Sequence, residues 1–175
     1  MLFYHVNRKT DFKINDVLNY LSLPKNSNPE LLDYCHDHFP EGLSQMGYKY
    51  SSYINPNSIE YSSYTSEIIL EIFRQKSFPN LPSRFQSVFC STSIKEAIFW
   101  YKQLKPQSAN ILVFESDHVY KFDAAWRDII AANLSMFSVE MFANNYWNGK
   151  VFERSPRIEY LLPLPLKIVD ILPID

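Results

Sequence analysis

The chain has 175 residues, of which 46% are hydrophobic and 21% charged, and its net charge is −2. These values are typical of one globular domain, so we expect residues 1–175 to form a single domain with its own core. The near-neutral charge argues against a broad nucleic-acid surface, and no segment reaches the roughly 20 apolar residues of a membrane helix. The N-terminus lacks signal-peptide features, and two cysteines form no framework, which favours a reducing, cytoplasmic environment.

Glycine is unusually scarce, with 3 residues against 12 tyrosines and 13 phenylalanines. Neither a Walker loop nor a G-x-G-x-x-G fingerprint is present. A nucleotide bound by this chain would therefore be held by side chains and aromatic surfaces.

The apolar periodicity and the turn residues predict short strands with helices between them. We expect a mixed or mostly antiparallel α+β sheet with flanking helices and with the C-terminal strands inside the sheet. In the segment 65–75 the apolar residues Ile68, Ile69, Ile72 and Phe73 recur with helical periodicity. In chain order we predict a strand at 2–6, turn or helix signals at 11–23, a helix at 30–38, a loop at 48–64 in which a helix could begin near Ser58, a helix at 65–75, a strand at 87–90, a helix at 93–104, strands at 110–115 and 119–122, helices at 123–134 and 138–147, and strands at 158–162 and 167–172.

Two places near strand ends carry polar side chains suited to a nucleotide. His5, with Arg8 close behind, could bind a ribose hydroxyl or a phosphate, although an ordinary strand histidine with a satisfied ring nitrogen explains it as well. Ser91, Thr92 and Ser93 lead into a helix, whose N-terminus favours anions. A plain helix cap accounts for one of these three hydroxyls better than for all of them.

A third candidate is Glu159 at the head of an apolar strand. If it faces the interior it needs a partner, and Arg157 has the side-chain parity to provide one. A solvated strand charge is the alternative. Tyr146 and its neighbours end a helix that Gly149 would cap. Cys90 fits a buried strand cysteine better than a nucleophile, and no ligand spacing indicates a metal.

Three segments, in this order, resemble motifs of the ADP-ribosyltransferase superfamily. Residues 3–7, Phe-Tyr-His-Val-Asn, look like the first motif in its histidine form. Residues 89–93 match the pattern F-x-S-T-S, and residues 159–163, Glu-Tyr-Leu-Leu-Pro, resemble the catalytic-glutamate strand. The resemblance implies an ADP-ribosyltransferase-like split, mostly antiparallel sheet. The segment 83–89 and the Leu-Leu-Pro ending also resemble a bacterial family of unknown function, which implies no mechanism.

The resemblance implies a catalytic glutamate, Glu159, that stabilises the positive charge developing when the nicotinamide–ribose bond of NAD breaks. Ser91 would orient that glutamate. NAD is the expected co-substrate. The residues expected to bind it are His5 at the adenosine side, Arg8 or Arg84 at the pyrophosphate, Phe89 at the nicotinamide, and Thr92 and Ser93 at the supporting turn.

Two departures from the family pattern leave the activity open. Phe89 replaces the tyrosine of the histidine branch, and Arg157 stands where arginine-modifying members have an acidic residue. The first hypothesis is a mono-ADP-ribosyltransferase, a toxin or effector that modifies a macromolecule, with protein favoured over nucleic acid. The alternatives are a catalytically inactive protein-binding module and an NAD glycohydrolase.

Overall fold

The computed structural model describes residues 1–8, 11–23, 28–51, 57–58, 61–104, 108–132 and 135–174. This described part contains seven strands, six α-helices and one short 3-10 helix, Arg84–Gln86. The fold is therefore α+β, as the sequence predicts. The elements are β1 (Leu2–Asn7), β2 (Val17–Leu18), α1 (Pro29–His38), α2 (Gln45–Ser51), α3 (Tyr61–Ser77), β3 (Ser87–Cys90), α4 (Ile94–Leu104), β4 (Asn110–Glu115), β5 (Tyr120–Asp123), α5 (Ala125–Ala132), α6 (Met136–Trp147), β6 (Ile158–Pro163) and β7 (Leu166–Pro173).

The strands form two sheets, one with the order β1-β4-β7-β2 and one with the order β3-β6-β5. Each strand pairing within the described residues is antiparallel. A bridge joins the two sheets, since the backbone N–H groups of Tyr4 and Ser91 each donate to the other residue's carbonyl at 2.9 Å. The prediction that the C-terminal strands lie inside the sheet is confirmed, because β6 and β7 are both interior strands.

Apolar clusters fill the spaces between these layers. Phe3, Phe114 and Leu162 belong to the cluster shared by the two sheets. The opposite side of the three-stranded sheet packs against α3, α5 and α6 through residues such as Leu161 and Tyr146. The start of β6, where Glu159 lies, is therefore placed between a sheet and a helical layer. None of the described helices is long and apolar enough to cross a membrane.

The turn expected at 11–23 is confirmed, and the helix alternative for that segment is wrong. In the segment 48–64 the loop prediction is wrong at 48–51, where α2 runs, whereas a helix beginning after residue 58 is confirmed as α3. The first segment forms a turn in which Asp16 accepts a hydrogen bond from the Lys13 N–H at 2.8 Å, and Asn15 has a φ of 76°. Helices α2 and α3 both extend into the second segment, and Gly47 allows α2 to approach the backbone of Phe85. The remaining parts of that loop, 52–56 and 59–60, lie outside the described residues.

The helix predicted at 65–75 is confirmed as part of α3, but its apolar residues are not all buried. Ile68 and Ile72 are 41% and 45% exposed, whereas Glu67 and Glu71 are only 0% and 4% exposed. The helix turns two carboxylates inward because each meets an arginine there, the buried Arg84 for Glu67 and the half-buried Arg74 for Glu71. Charge pairing therefore overrides the hydrophobic periodicity on this helix.

Candidate functional site

Glu159 is the second residue of β6 and is 5% exposed. It lies opposite Phe122 of β5, and its side chain points toward α6. The Tyr146 hydroxyl donates to Oε1 at 2.8 Å, and Nη1 of Arg84 donates to the same oxygen. The carboxylate is therefore held by one of its two oxygens.

Oε2 of Glu159 has no hydrogen-bond partner among the described residues. Among the described residues, Nε of Arg157 is the one side-chain polar atom that is both buried from solvent and without a hydrogen-bond partner. Oε2 of Glu159, which has no partner, is therefore not fully buried from solvent. One oxygen of Glu159 is thus anchored by the protein, and the other has no protein partner in the described residues. A carboxylate oxygen in this situation accepts hydrogen bonds and stabilises positive charge.

Arg84 forms the centre of a buried ionic network and is 0% exposed. Its Nε and Nη2 donate to the two oxygens of Glu67 at 2.6 and 2.8 Å. Its guanidinium lies 4.5 Å from the ring centroid of Phe89. Although burial alone would raise the pKa of the Glu67 carboxyl, Arg84 and Arg127 together hold that pKa below its usual value. The charged forms of both Arg84 and Glu67 are therefore favoured.

These bonds do not fit a pyrophosphate role for Arg84, because such a role requires exposed donors. Each of its three nitrogens is already bound to Glu67, Tyr146 or Glu159. Burial would lower the pKa of Arg84, but the adjacent carboxylates of Glu159 and Glu67 raise it well above its usual value. Arg8, which is exposed at the end of β1, remains as the cation suited to a phosphate.

His5 lies on β1 and donates from Nδ1 to the carbonyl of Phe89 at 2.8 Å. Burial lowers the pKa of His5, while the bond to Phe89 raises it and the nearby Arg8 lowers it further. The net lowering favours a neutral ring whose Nε2 is a hydrogen-bond acceptor. His5 and Arg84 therefore contact the carbonyl and the ring of the same residue, Phe89.

The three hydroxyls after β3 have different positions. Ser91 is buried and stands one step beyond the last β3–β6 pair, Cys90 with Tyr160, which places it beside Glu159 in register. Its hydroxyl is not among the partners of that carboxylate in the described residues. Ser93 caps α4, since its Oγ accepts from the Glu96 N–H at 3.2 Å, and Thr92 donates to the Glu96 carboxylate at 3.3 Å.

The expected pairing of Arg157 with Glu159 is wrong. Arg157 binds Asp128 at 2.5 Å and lies over the ring of Trp100, while Glu159 pairs with Arg84. Alternation along a strand gives the parity of a side chain but not its nearest charge on a neighbouring helix.

The structure brings His5, Phe89, Arg84 and Glu159 into one continuous series of contacts, with Ser91 beside it. Sequence reasoning missed Glu67 and the role of Tyr146, which was interpreted as part of a capping turn. The available signal was two glutamates four residues apart on α3 together with an arginine before a strand. In the described chain, no group of three or more His, Cys, Asp or Glu side chains could hold a metal ion.

The fold is an α+β arrangement of two antiparallel sheets, with a buried glutamate network between the three-stranded sheet and the helices α3 and α6. The model of a family described as "Protein of unknown function (DUF2441)" matches residues 3–173, and the chain belongs to this family. No curated protein matches the chain.

Proposed function

We propose that this protein is an NAD-dependent mono-ADP-ribosyltransferase that transfers ADP-ribose to a macromolecular acceptor and releases nicotinamide. The observation that carries the proposal is the state of Glu159. Its Oε1 is fixed by Arg84 and Tyr146, and its Oε2 is without a partner in the described chain. This is the arrangement needed for a carboxylate that must act on a bound ribose without moving.

The reaction breaks the bond between the ribose C1′ and the nicotinamide nitrogen, and the bonding electrons leave with nicotinamide. Positive charge develops on the ribose ring in the transition state. Oε2 of Glu159 would accept a hydrogen bond from the ribose 2′-hydroxyl and stabilise that charge. Preorganised charge of this kind supplies several kcal/mol in other enzymes, about 3 to 4 for a single donor. A nucleophile of the acceptor then bonds to C1′ and loses its proton.

His5 and Arg8 supply complementary contacts for the rest of NAD. The neutral ring of His5 would accept a hydrogen bond from the adenosine-side ribose through Nε2, because Nδ1 is already bound to Phe89. Arg8 is exposed and would meet the pyrophosphate. These assignments suit a chain with three glycines, which has no glycine-rich phosphate loop.

The sheet arrangement supports the same proposal. The three segments that resemble the family motifs lie on β1, directly after β3 and on β6. The bridge between Tyr4 and Ser91 brings the first two together, and the β3–β6 pairing brings the third beside them. We propose that the two sheets form the ADP-ribosyltransferase-like split.

With a net charge of −2, a protein acceptor in the cytoplasm is favoured over a nucleic acid.

The test is nicotinamide release from NAD by the wild-type protein and by Glu159→Gln, with and without cell lysate. Glu159→Gln keeps an oxygen for Arg84 but removes the charge. The matched control is Glu140→Gln, because Glu140 is exposed on α6. We expect release that requires lysate, a loss of at least a hundredfold in Glu159→Gln, and wild-type activity in the control.

Two results would contradict this proposal in different ways. Release of nicotinamide without lysate, with ADP-ribose as the product, would identify an NAD glycohydrolase. A folded wild-type protein that neither binds NAD nor releases nicotinamide would refute NAD chemistry and favour a protein-binding module.

A further inference from the structure

We propose that Tyr146, Arg84 and Glu67 are positioning residues for Glu159, and we call them the clamp. The clamp fixes Oε1 and thereby makes Oε2 the reacting oxygen. This inference rests on the proposed function for its kinetic consequence, although its geometry can be tested without NAD.

The first part of the clamp is the Tyr146 hydroxyl. It donates to Oε1 of Glu159 at 2.8 Å and accepts from Nη1 of Arg84. The ring of Tyr146 cannot turn away, since it is 0% exposed and stacks on Phe122 with the centroids 4.8 Å apart. A hydroxyl fixed in this way selects one orientation of the carboxylate.

The second part is the division of the charge of Arg84 between two carboxylates. Nε and Nη2 form a two-pronged contact with Glu67, and only Nη1 reaches Glu159. A second cation, Arg127, contacts Glu67 at 3.3 Å. Glu67 takes two of the three Arg84 nitrogens and Glu159 takes the third, so the single charge of Arg84 is shared between two carboxylates and does not cancel both. A carboxylate that must stabilise positive charge needs this residual negative charge.

The same helix provides a comparison for a purely structural role. Glu71 lies one turn after Glu67 on α3, is 4% exposed, and pairs with Arg74 at 2.9 Å. It also accepts a hydrogen bond from the Ser83 hydroxyl at 2.9 Å. Glu71 is therefore a buried glutamate with an arginine partner, but it does not contact Arg84 or Glu159. It offers a matched control for Glu67.

The kinetic experiment compares the full-length wild-type protein, Tyr146→Phe, Glu67→Gln and Glu71→Gln. Tyr146→Phe removes one oxygen and keeps the ring stack. Glu67→Gln keeps a hydrogen-bond acceptor for Arg84 but removes the negative charge of Glu67. The positive charge of Arg84 then faces the Glu159 carboxylate alone. We expect kcat to fall about tenfold or more in both clamp variants while KM for NAD stays within about twofold, because substrate binding does not use the clamp. Glu71→Gln should keep the wild-type kcat.

The second measurement is infrared difference spectroscopy on protein labelled with 13C-carboxyl glutamate, without NAD. The Glu159 carboxylate band is the one absent from Glu159→Gln. Hydrogen bonds to only one oxygen make the two C–O bonds unequal, so the band should shift in Tyr146→Phe and in Glu67→Gln but stay unchanged in Glu71→Gln. Circular dichroism establishes that each variant is folded.

The two measurements separate the clamp from the proposed function. An unshifted Glu159 band in both clamp variants would overturn the clamp, whatever the activity. Equal losses of kcat in Glu67→Gln and Glu71→Gln would also overturn it, because the effect would then be general packing. A wild-type protein that releases no nicotinamide would refute the proposed function, while a shifted band would still support the clamp geometry.

Discussion

Replacement of Gly47 by alanine tests the contact that positions Arg84. Gly47 lies in α2, and a Cβ atom added to it would be 2.0 Å from the carbonyl oxygen of Phe85. The carbonyl carbon and the Cα of Phe85 would be 2.7 and 2.8 Å away. A normal contact requires a separation larger by about 1.5 Å, and the obstacle is backbone that cannot rotate aside.

Two opposing free energies decide the result. Alanine is favoured over glycine in a helix by about 1 kcal/mol. Overpacking costs about 1–3 kcal/mol or more. The movement would also strain the bond from the Ser44 N–H to the Phe85 carbonyl, which is 2.7 Å long and worth about 1 kcal/mol. We therefore expect Gly47→Ala to lower the free energy of unfolding by about 2 kcal/mol.

The assay is urea denaturation combined with thermal unfolding. A loss of this size should lower Tm by about 4–8 °C for a chain of this length. Gly149→Ala is the control, because its added Cβ would meet only the Lys121 oxygen at 3.6 Å and its φ of 66° costs strain alone, about 1–2 kcal/mol. The reasoning would be refuted if Gly47→Ala were as stable as the wild type or more stable, as helix propensity alone predicts.

Three further predictions concern buried polar groups. Burial lowers the pKa of His5 below the unfolded value of about 6.5, so the unfolded chain binds more protons than the folded protein. The free energy of unfolding should therefore fall as the pH drops below about 6.5. Urea titrations from pH 7.5 to 5 should show a weaker dependence of this free energy on pH in His5→Gln. The Asp123 carboxylate accepts hydrogen bonds from the N–H groups of Ala125, Phe152 and Arg157. Asp123→Ala should therefore lower the free energy of unfolding, measured by urea denaturation, by about 3 kcal/mol, and by more than Asp123→Asn. Equal losses in the two variants would contradict that reasoning. Cys90 is 4% exposed, and burial raises the pKa of its thiol. The thiol should therefore react with a disulfide reagent only after the protein unfolds. Rapid reaction in the native protein would make Cys90 a candidate nucleophile.

Much of the fold could be predicted because its local signals agree with its packing. The strand at 87–90 was predicted with the bounds of β3, and the strand at 110–115 with those of β4. Ser93 and Gly149 occupy the cap positions that their residue types favour, with Gly149 at a φ of 66°. At these positions propensity, capping chemistry and burial point to the same structure.

The candidate site was predictable only in its strand-borne part. His5 and Glu159 could be found because each stands in a short apolar run, where a polar residue is conspicuous. Arg84 could be found as a residue, but the sequence did not show that it would be sealed against Glu67 and Glu159. Such pairings join α3, the 3-10 helix before β3, and β6, and no local spacing encodes distances between elements so far apart along the chain.

The inward position of Glu67 on α3 has a physical cause that bears on function. Burying Glu67 without a cation would cost far more than exposing Ile68 and Ile72, which each forgo about 1 kcal/mol at their partial exposure. Arg84 and Arg127 remove that penalty, but replacing a buried ionic group by apolar residues is often neutral or stabilising. Stability alone therefore gives little reason for α3 to turn Glu67 inward. A requirement to hold the Glu159 carboxylate in one orientation does give a reason, and it predicts that Glu67→Leu/Arg84→Met would fold while the wild-type orientation of Glu159 is lost.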